Sequence, residues 1–435
     1  MENYPTNFFM NEAFLHYLWQ FQQFEKSDLR TSTKDTITVL KTGFYNTNSG
    51  PDFINARILI NEIEWVGNVE IHIKSSDWKV HKHQEDEAYN NVILHVVWEN
   101  NQLIVRQDGS LIPTLELKSI TDFELINKYQ YLIDNQSIIP CQEAYSKVSD
   151  LSKFAMLDKV LTKRLQQKAA IVNELFENNK GDWEETAYQL LARNFGFKLN
   201  SDVFLRLAQN LPLKVLQKHR DNLFQIESMF FGQAGLIEIY DEYAEKLSQE
   251  YEFFAIKFSL KARQLNSYEW KFLRTRPANF PTIRLAQLAK LVTQQQSFFS
   301  LFTQSNSIEE IRNALKIEQS SYWQEHFNFG KTSNKKLLGL GISSINNIII
   351  NTAIPLLAFY AEKIGNHELI NRCINFLENL PAEENSICDI WKNMGLSIKT
   401  AFDSQASIEL YNSFCTKKQC LQCNIGVEIL KNPPE

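Results

Sequence analysis

The residues of this chain best suited to chemistry crowd into its first ninety-five positions. In NSGPDFINARILINEIEWVGNVEIHIKSSDW, Asp52 follows a Gly-Pro turn, and Glu70, His72 and Lys74 stand at alternate positions of a second apolar run. Strand side chains alternate faces, so these three project together while Val69, Ile71 and Ile73 take the opposite side. Carboxylates are the hard ligands that Mg²⁺ or Mn²⁺ selects. An imidazole is suited to orient or deprotonate a water, and an ammonium offsets developing negative charge. Eighteen residues separate Asp52 from Glu70, a length that fits a hairpin returning both carboxylates to one end of a sheet. A surface strand with a Glu-Lys ion pair is the plain alternative.

Five of the eight histidines, His16, His72, His81, His83 and His95, share this region. His81 and His83, in WKVHKHQEDEAY, would add nitrogen ligands of the kind Zn²⁺ or Mn²⁺ prefers; otherwise their imidazoles bond to backbone groups of a loop. The His-x-His-x-x-Asp string is similar to the metal motif of metallo-β-lactamases, but Glu87 follows Asp86 where that motif needs histidine, which excludes that family. His95, inside VILHVVW, reads as a core histidine.

A second metal-ligand pattern lies at the other end. FCTKKQCLQCNIG sets Cys415, Cys420 and Cys423 in a C-x4-C-x2-C spacing, close enough to converge on one centre. Cys141, in SIIPCQEAY, is the best fourth ligand, whereas Cys373 and Cys388 read as core. A [4Fe-4S] cluster or Zn²⁺ would satisfy four thiolates; reduced cysteines without metal are the alternative. Between the two patterns, WKFLRTRPANFPTIRLAQLAKL places Lys271, Arg274, Arg276 and Arg284 around two prolines. Arginines on a rigid turn present planar forks to phosphates, so this motif is the expected nucleic-acid contact unless its arginines cap helices instead.

The elements that must position these groups follow from periodicity. Residues 10–25 have apolar positions at helical spacing, and β-type runs follow at 36–43, 54–61, 68–74, 91–99, 102–107 and 111–117. The segment between Trp78 and Tyr89, with Asp77 as a helix cap, is either a short helix or an ordered loop. Beyond about residue 150 the strands give way to long amphipathic helices, such as 151–176 and 211–230. The expected fold is therefore an α+β domain over 1–140, an all-helical domain over 141–410 and a cysteine-containing tail over 411–435. Such a division suits a chain of 435 residues, because single cores rarely grow past about 250–300.

Composition bounds the function. With 44% hydrophobic and 22% charged residues and a net charge of −6, the chain is an ordinary globular protein without global attraction for nucleic acid. Polyanion binding then requires a local basic patch. No uninterrupted apolar run nears the roughly 18 residues a membrane span needs, and the amino end lacks the pattern of a secretion signal. A cytoplasmic location without a membrane partner is expected, and six cysteines are too few for a disulfide scaffold.

The order helix, strand, Gly-Pro-Asp, strand, Glu-x-His strand, crossover, strand resembles the PD-(D/E)XK nuclease core. That resemblance implies a restriction-endonuclease-like mixed sheet with flanking helices. It also implies that Asp52 and Glu70 hold a divalent cation, with His72 at the position usually occupied by lysine, Lys74 as a substitute cation and Glu12 on the opening helix as an additional acidic ligand. The cysteine arrangement is similar to the iron–sulfur staple of some nucleases in that superfamily. Across nearly its full length, through NEAFLHYLW, NSGPDF, GNVEIH, SDWKVHKH, VILHVVWE, WKFLRTRPANFPTIR and the cysteine tail, the chain resembles an uncharacterised bacterial family of unknown function. Together these imply a metal-dependent nuclease acting on DNA or RNA. The alternatives are an inactive nucleic-acid-binding protein of the same fold and a metallohydrolase of a small metabolite.

Overall fold

The structure, a computed structural model, describes residues 10–273 and 276–431. It divides into two compact units, Met1–Met156 with Leu410–Glu435, and Leu157–Glu409. Residues 141–156 and the cysteine tail thus fold with the sheet, and the chain between them forms the helical unit. This differs from divisions at 140 and 410.

In the first unit, helix α1 (Glu12–Phe21) is capped by the Asn11 side chain, which accepts from the Phe14 N–H, and ends at Gln22 in the left-handed conformation. It buries Phe14, Leu15, Leu18 and Trp19 completely, each contributing on the order of 1.5–3 kcal/mol. The sheet comprises β1 (Ile37–Lys41), β2 (Phe44–Tyr45), β3 (Phe53–Ile60), β4 (Ile63–Lys74), β5 (Val92–Glu99) and β6 (Thr114–Glu116). Its order is β1-β3-β4-β5-β6, with β2 also on β3. The pairs β1/β3 and β3/β4 are antiparallel, while β4/β5 and β5/β6 are parallel.

The β3–β4 hairpin closes through Asn61 and Glu62, between the paired Ile60 and Ile63. Both turn residues have positive φ, 48° and 66°, the geometry of a two-residue hairpin turn that follows the strand twist. Asn61 tolerates it because its side chain accepts from the Thr36 N–H and donates to Asp35. In β4 only Gly67 fits against β5, since a Cβ there would lie 2.4 Å from the Ile93 side chain and 2.7 Å from the Asn91 carbonyl. Strand β5 is buried on both faces from Val92 to Trp98, as expected where parallel strands are covered on both sides.

The β4–β5 crossover holds α2 (Asp77–Val80) and two short turns, His83–Glu85 and Glu87–Tyr89. Trp78 anchors it by packing with Tyr89, Val92, Ile104 and Ile112. The run 102–107 forms no strand; it has a single bridge, Val105 to Leu111, because Arg106 takes the Val92 and Leu111 carbonyls with its guanidinium. Helix α3 (Phe123–Asp134) follows, and a carboxyl-terminal helix, Asn424–Lys431, packs on it.

The second unit is built of helices that pack on their sequence neighbours, among them Trp183–Phe195 with Phe197–Asn210 and Leu223–Gln233 with Glu242–Lys257. The expected helix over 211–230 is two, Leu213–Gln217 and Leu223–Gln233, separated at Lys218–Asn222 where Asn222 caps the second. The stretch Ile342–Ile364 is long and apolar enough to cross a membrane, and 72% of its most apolar part is buried within the fold.

Candidate metal centre

The two halves of the amino-terminal pattern meet. The hairpin sets Phe53 opposite Val69, so Asp52 arrives beside Glu70. The Asp52 N–H donates to Glu70 Oε2 at 3.2 Å, and Asp52 Oδ2 accepts from the Ile71 N–H at 2.9 Å. Each carboxylate thus binds the other strand's backbone, which fixes both. His16, one turn after Glu12 on α1, brings Nε2 to 3.3 Å from Asp52 Oδ2.

The crossover folds the His-x-His segment onto the same place. His83 Nε2 lies 3.2 Å and His72 Nε2 3.6 Å from Glu70 Oε1, and His72 Nε2 is 3.1 Å from His81 Nδ1. Ligand atoms of His72, His81 and His83 all fall within 4.8 Å of one another. His83 stacks on Tyr89 at 3.8 Å. His72 and Glu70 are buried, His83 nearly so, and His81 is exposed, so the cluster has closed walls and one side open to solvent.

A further imidazole orients the centre. His72 Nδ1 is 2.8 Å from His95 Nε2. If His72 Nε2 is to offer a lone pair, its proton must sit on Nδ1 and be donated to His95, the outer-partner arrangement typical of metal-bound histidine. His95 is fully buried and its Nδ1 has no hydrogen-bond partner. It is therefore not a satisfied core histidine, and its link to His72 follows from the register that sets Glu70 beside His95.

The electrostatics favour a cation. Burial, reinforced by Asp52, raises the Glu70 carboxyl well above the ordinary range, and burial with Asp52 likewise raises Glu12. Burial, then the neighbouring imidazoles, pushes His72 down to about 3; burial also lowers His83 and His95. His72, His83 and His95 are thus held neutral, as a ligating imidazole must be, while Glu70 and Glu12 resist ionising. A divalent ion stabilises the ionised carboxylates and neutral imidazoles together, so this donor set fits one. Three nitrogens with a carboxylate suit a borderline transition ion better than Mg²⁺.

The remaining sequence candidates fall elsewhere. Lys74 is exposed at the end of β4, where the chain turns: Asp77 accepts its N–H. Lys74 is the last residue of β4, still paired with Glu99 of β5, and its side chain stays at the exposed end of the strand. Cys141, Cys415, Cys420 and Cys423 line a common pocket with Pro140, Phe414, Gln419 and Gly426. In the helical unit Lys271 and Arg276 are exposed, and Arg274 lies outside the described residues. Arg284 is turned inward, 5% exposed, donating to Asn279, Gln287 and Ser344 with its guanidinium over the Phe197 ring. That placement holds two helices together and removes Arg284 from the polyanion contacts. His16 and His95 are the residues sequence reasoning did not assign to the site; the signal for His95 was a lone polar residue in an otherwise apolar strand.

Comparison with known proteins matches residues 12–386 to the model of a family described as protein of unknown function (DUF2851). The matched span ends before the cysteine tail. No curated protein and no solved structure matches the chain.

Proposed function

We propose that this chain, which belongs to the DUF2851 family, is a metal-dependent phosphodiesterase acting on nucleic acid. The observation that carries the reading is the convergence of Asp52 and Glu70 with His72, His81 and His83 at a partly open centre. A divalent ion bound there supplies Lewis acidity and a more acidic water. The chain's own groups do the rest. Glu70, His72 and His83 form the buried wall, His81 the exposed rim, and His95 fixes the proton of His72 on the side away from the centre. Asp52, held by the Ile71 N–H and facing His16, is placed to accept a proton near the open side. Lys74, Lys79 and Lys82 are exposed around the crossover beside the equally exposed Glu85, Asp86 and Glu87, so individual lysines rather than a net positive field are the candidate phosphodiester contacts.

The reading takes from the resemblance to the PD-(D/E)XK core only the two carboxylates at the open end of the antiparallel β3–β4 hairpin; no solved structure matches the chain. The nitrogen-rich ligand set departs from that core and favours Mn²⁺ or Zn²⁺. The inward turn of Arg284 favours a second reading, hydrolysis of a small phosphorylated metabolite.

Incubation with single- and double-stranded DNA and RNA and with bis-p-nitrophenyl phosphate, each with Mn²⁺, Zn²⁺ or Mg²⁺, separates the cases. Metal-dependent cleavage of a polymer, lost in Asp52→Ala, is expected. Tight binding without cleavage under every metal would make the protein a binder. Turnover of the small diester alone would select the second reading.

A further inference from the structure

The four cysteines are independent of the carboxylate–histidine centre. Cys141 follows α3, whereas Cys415, Cys420 and Cys423 lie in the returning tail, with the whole helical unit between them in sequence. Yet all four line one pocket in the first unit. Among the described residues none of the six cysteines is disulfide-bonded, and Cys373 and Cys388 are buried in the helical unit instead.

The loop that gathers them is tightly determined. Its backbone closes through Lys418 N–H to Cys415 O at 3.1 Å, Gln419 N–H to Phe414 O at 2.9 Å and Cys423 N–H to Cys420 O at 3.2 Å. Lys418 is held at φ 51°, a conformation that costs a non-glycine residue and persists only where surroundings impose it. Gly426 lets the last helix press onto the loop, because a Cβ there would meet the Cys420 carbonyl at 2.3 Å. Three cysteines of one short loop thus line a pocket with a fourth from another segment, the convergence that a thiolate metal centre requires.

The sequence spacing selects the occupant. Cys415, Cys420 and Cys423 stand in a C-x4-C-x2-C pattern with the fourth cysteine far off in sequence, a spacing by which four thiolates hold an iron–sulfur cluster, each sulfur binding an iron of a polynuclear centre. One tetrahedral zinc on the same four thiolates is the competing occupant that metal analysis tells apart.

We propose that Cys141, Cys415, Cys420 and Cys423 ligate an iron–sulfur cluster that clasps the returning tail onto the sheet unit, on either side of the inserted helical unit.

The test uses the full-length protein purified anaerobically, with iron, acid-labile sulfide and zinc analysis and visible absorbance. Expected are iron and sulfide in equal amount and a broad band near ~400 nm, both lost in Cys420→Ser and both retained in Cys373→Ser. Limited proteolysis should then cut Cys420→Ser between residues 410 and 431 while the rest stays resistant. Cys141→Ser, a substitution outside the tail, is tested beside it and should lose the cluster and free the tail in the same way. One zinc per chain, metal-free wild type, or a cluster that survives both substitutions would overturn the proposal.

Discussion

Replacing Glu70 with glutamine separates a metal ligand from a structural residue, because the two roles move stability in opposite directions. The carboxyl is 5% exposed and lies 3.2 Å from His83, and glutamine keeps its shape. Without metal, the native protein holds this acid protonated above its ordinary range. Its contribution is therefore full below the unfolded pKa and is lost as pH rises through the raised native one. Glu70→Gln should thus leave the metal-free melting temperature unchanged near pH 5 and unchanged or higher near pH 8. With free Mn²⁺ or Zn²⁺ at about 100 times its Kd, the wild type gains about 2.7 kcal/mol. A variant binding about 100-fold more weakly, the upper end of what losing even an outer partner costs, gains only about 0.4 kcal/mol. At about 2–4 °C per kcal/mol for a unit of this size, the shift falls from about 5–11 °C to about 1–2 °C. Differential scanning fluorimetry with and without metal reads both numbers. A variant that melts lower without metal yet shows the full metal shift would refute the assignment of Glu70 as a ligand.

Other perturbations test neighbouring parts of the account. His72→Lys would bury an ammonium against His95 and His81 rather than restore a nuclease lysine, so it should cost on the order of 3 kcal/mol in a urea melt and abolish metal binding; an active, stable variant would contradict the buried geometry. In the helical unit Glu227 accepts from Tyr243 and Ser320 and burial raises it to about 7. Its protonated form stabilises the fold below about pH 4.5, and that stability is lost as pH rises through 7. Glu227→Gln should therefore match wild type at pH 4.5 and exceed it by about 2–3 kcal/mol at pH 8; equal differences at both pH values would argue otherwise. Arg276→Glu should lower nucleic-acid affinity and reduce the salt slope by about 1, whereas an unchanged slope would remove Arg276 from the interface.

The hairpin that joins Asp52 to Glu70 was legible because its signals are local: two alternating runs and a separation that pairing must respect. His81 and His83 were readable as nitrogen ligands by type and spacing, but their arrival at the carboxylates was not. It depends on Trp78 finding a hydrophobic seat and on Asp77 capturing the Lys74 N–H, tertiary events that leave no periodic trace. Lys74 keeps its place in the strand, paired with Glu99, but stands exposed at its end while Glu70 and His72 are buried, a difference that alternation alone does not reveal. Arg284 misled for a related reason: its helix, Pro281–Gln294, is buried on nearly every side, and a cation in such a helix looks in sequence like one on a surface. The cysteines were readable because their chemistry demands convergence. That the tail returns to the sheet unit, however, is set by contacts such as Glu428 accepting from Ser149.

The account rests most directly on a cation sitting among Glu70, His72, His81 and His83. Crystals grown with Mn²⁺, measured above the manganese absorption edge, should show one strong anomalous peak about 2.0–2.2 Å from those side chains, absent in Glu70→Gln. A clean map with no peak at this cluster, under metal concentrations that support cleavage, would contradict it.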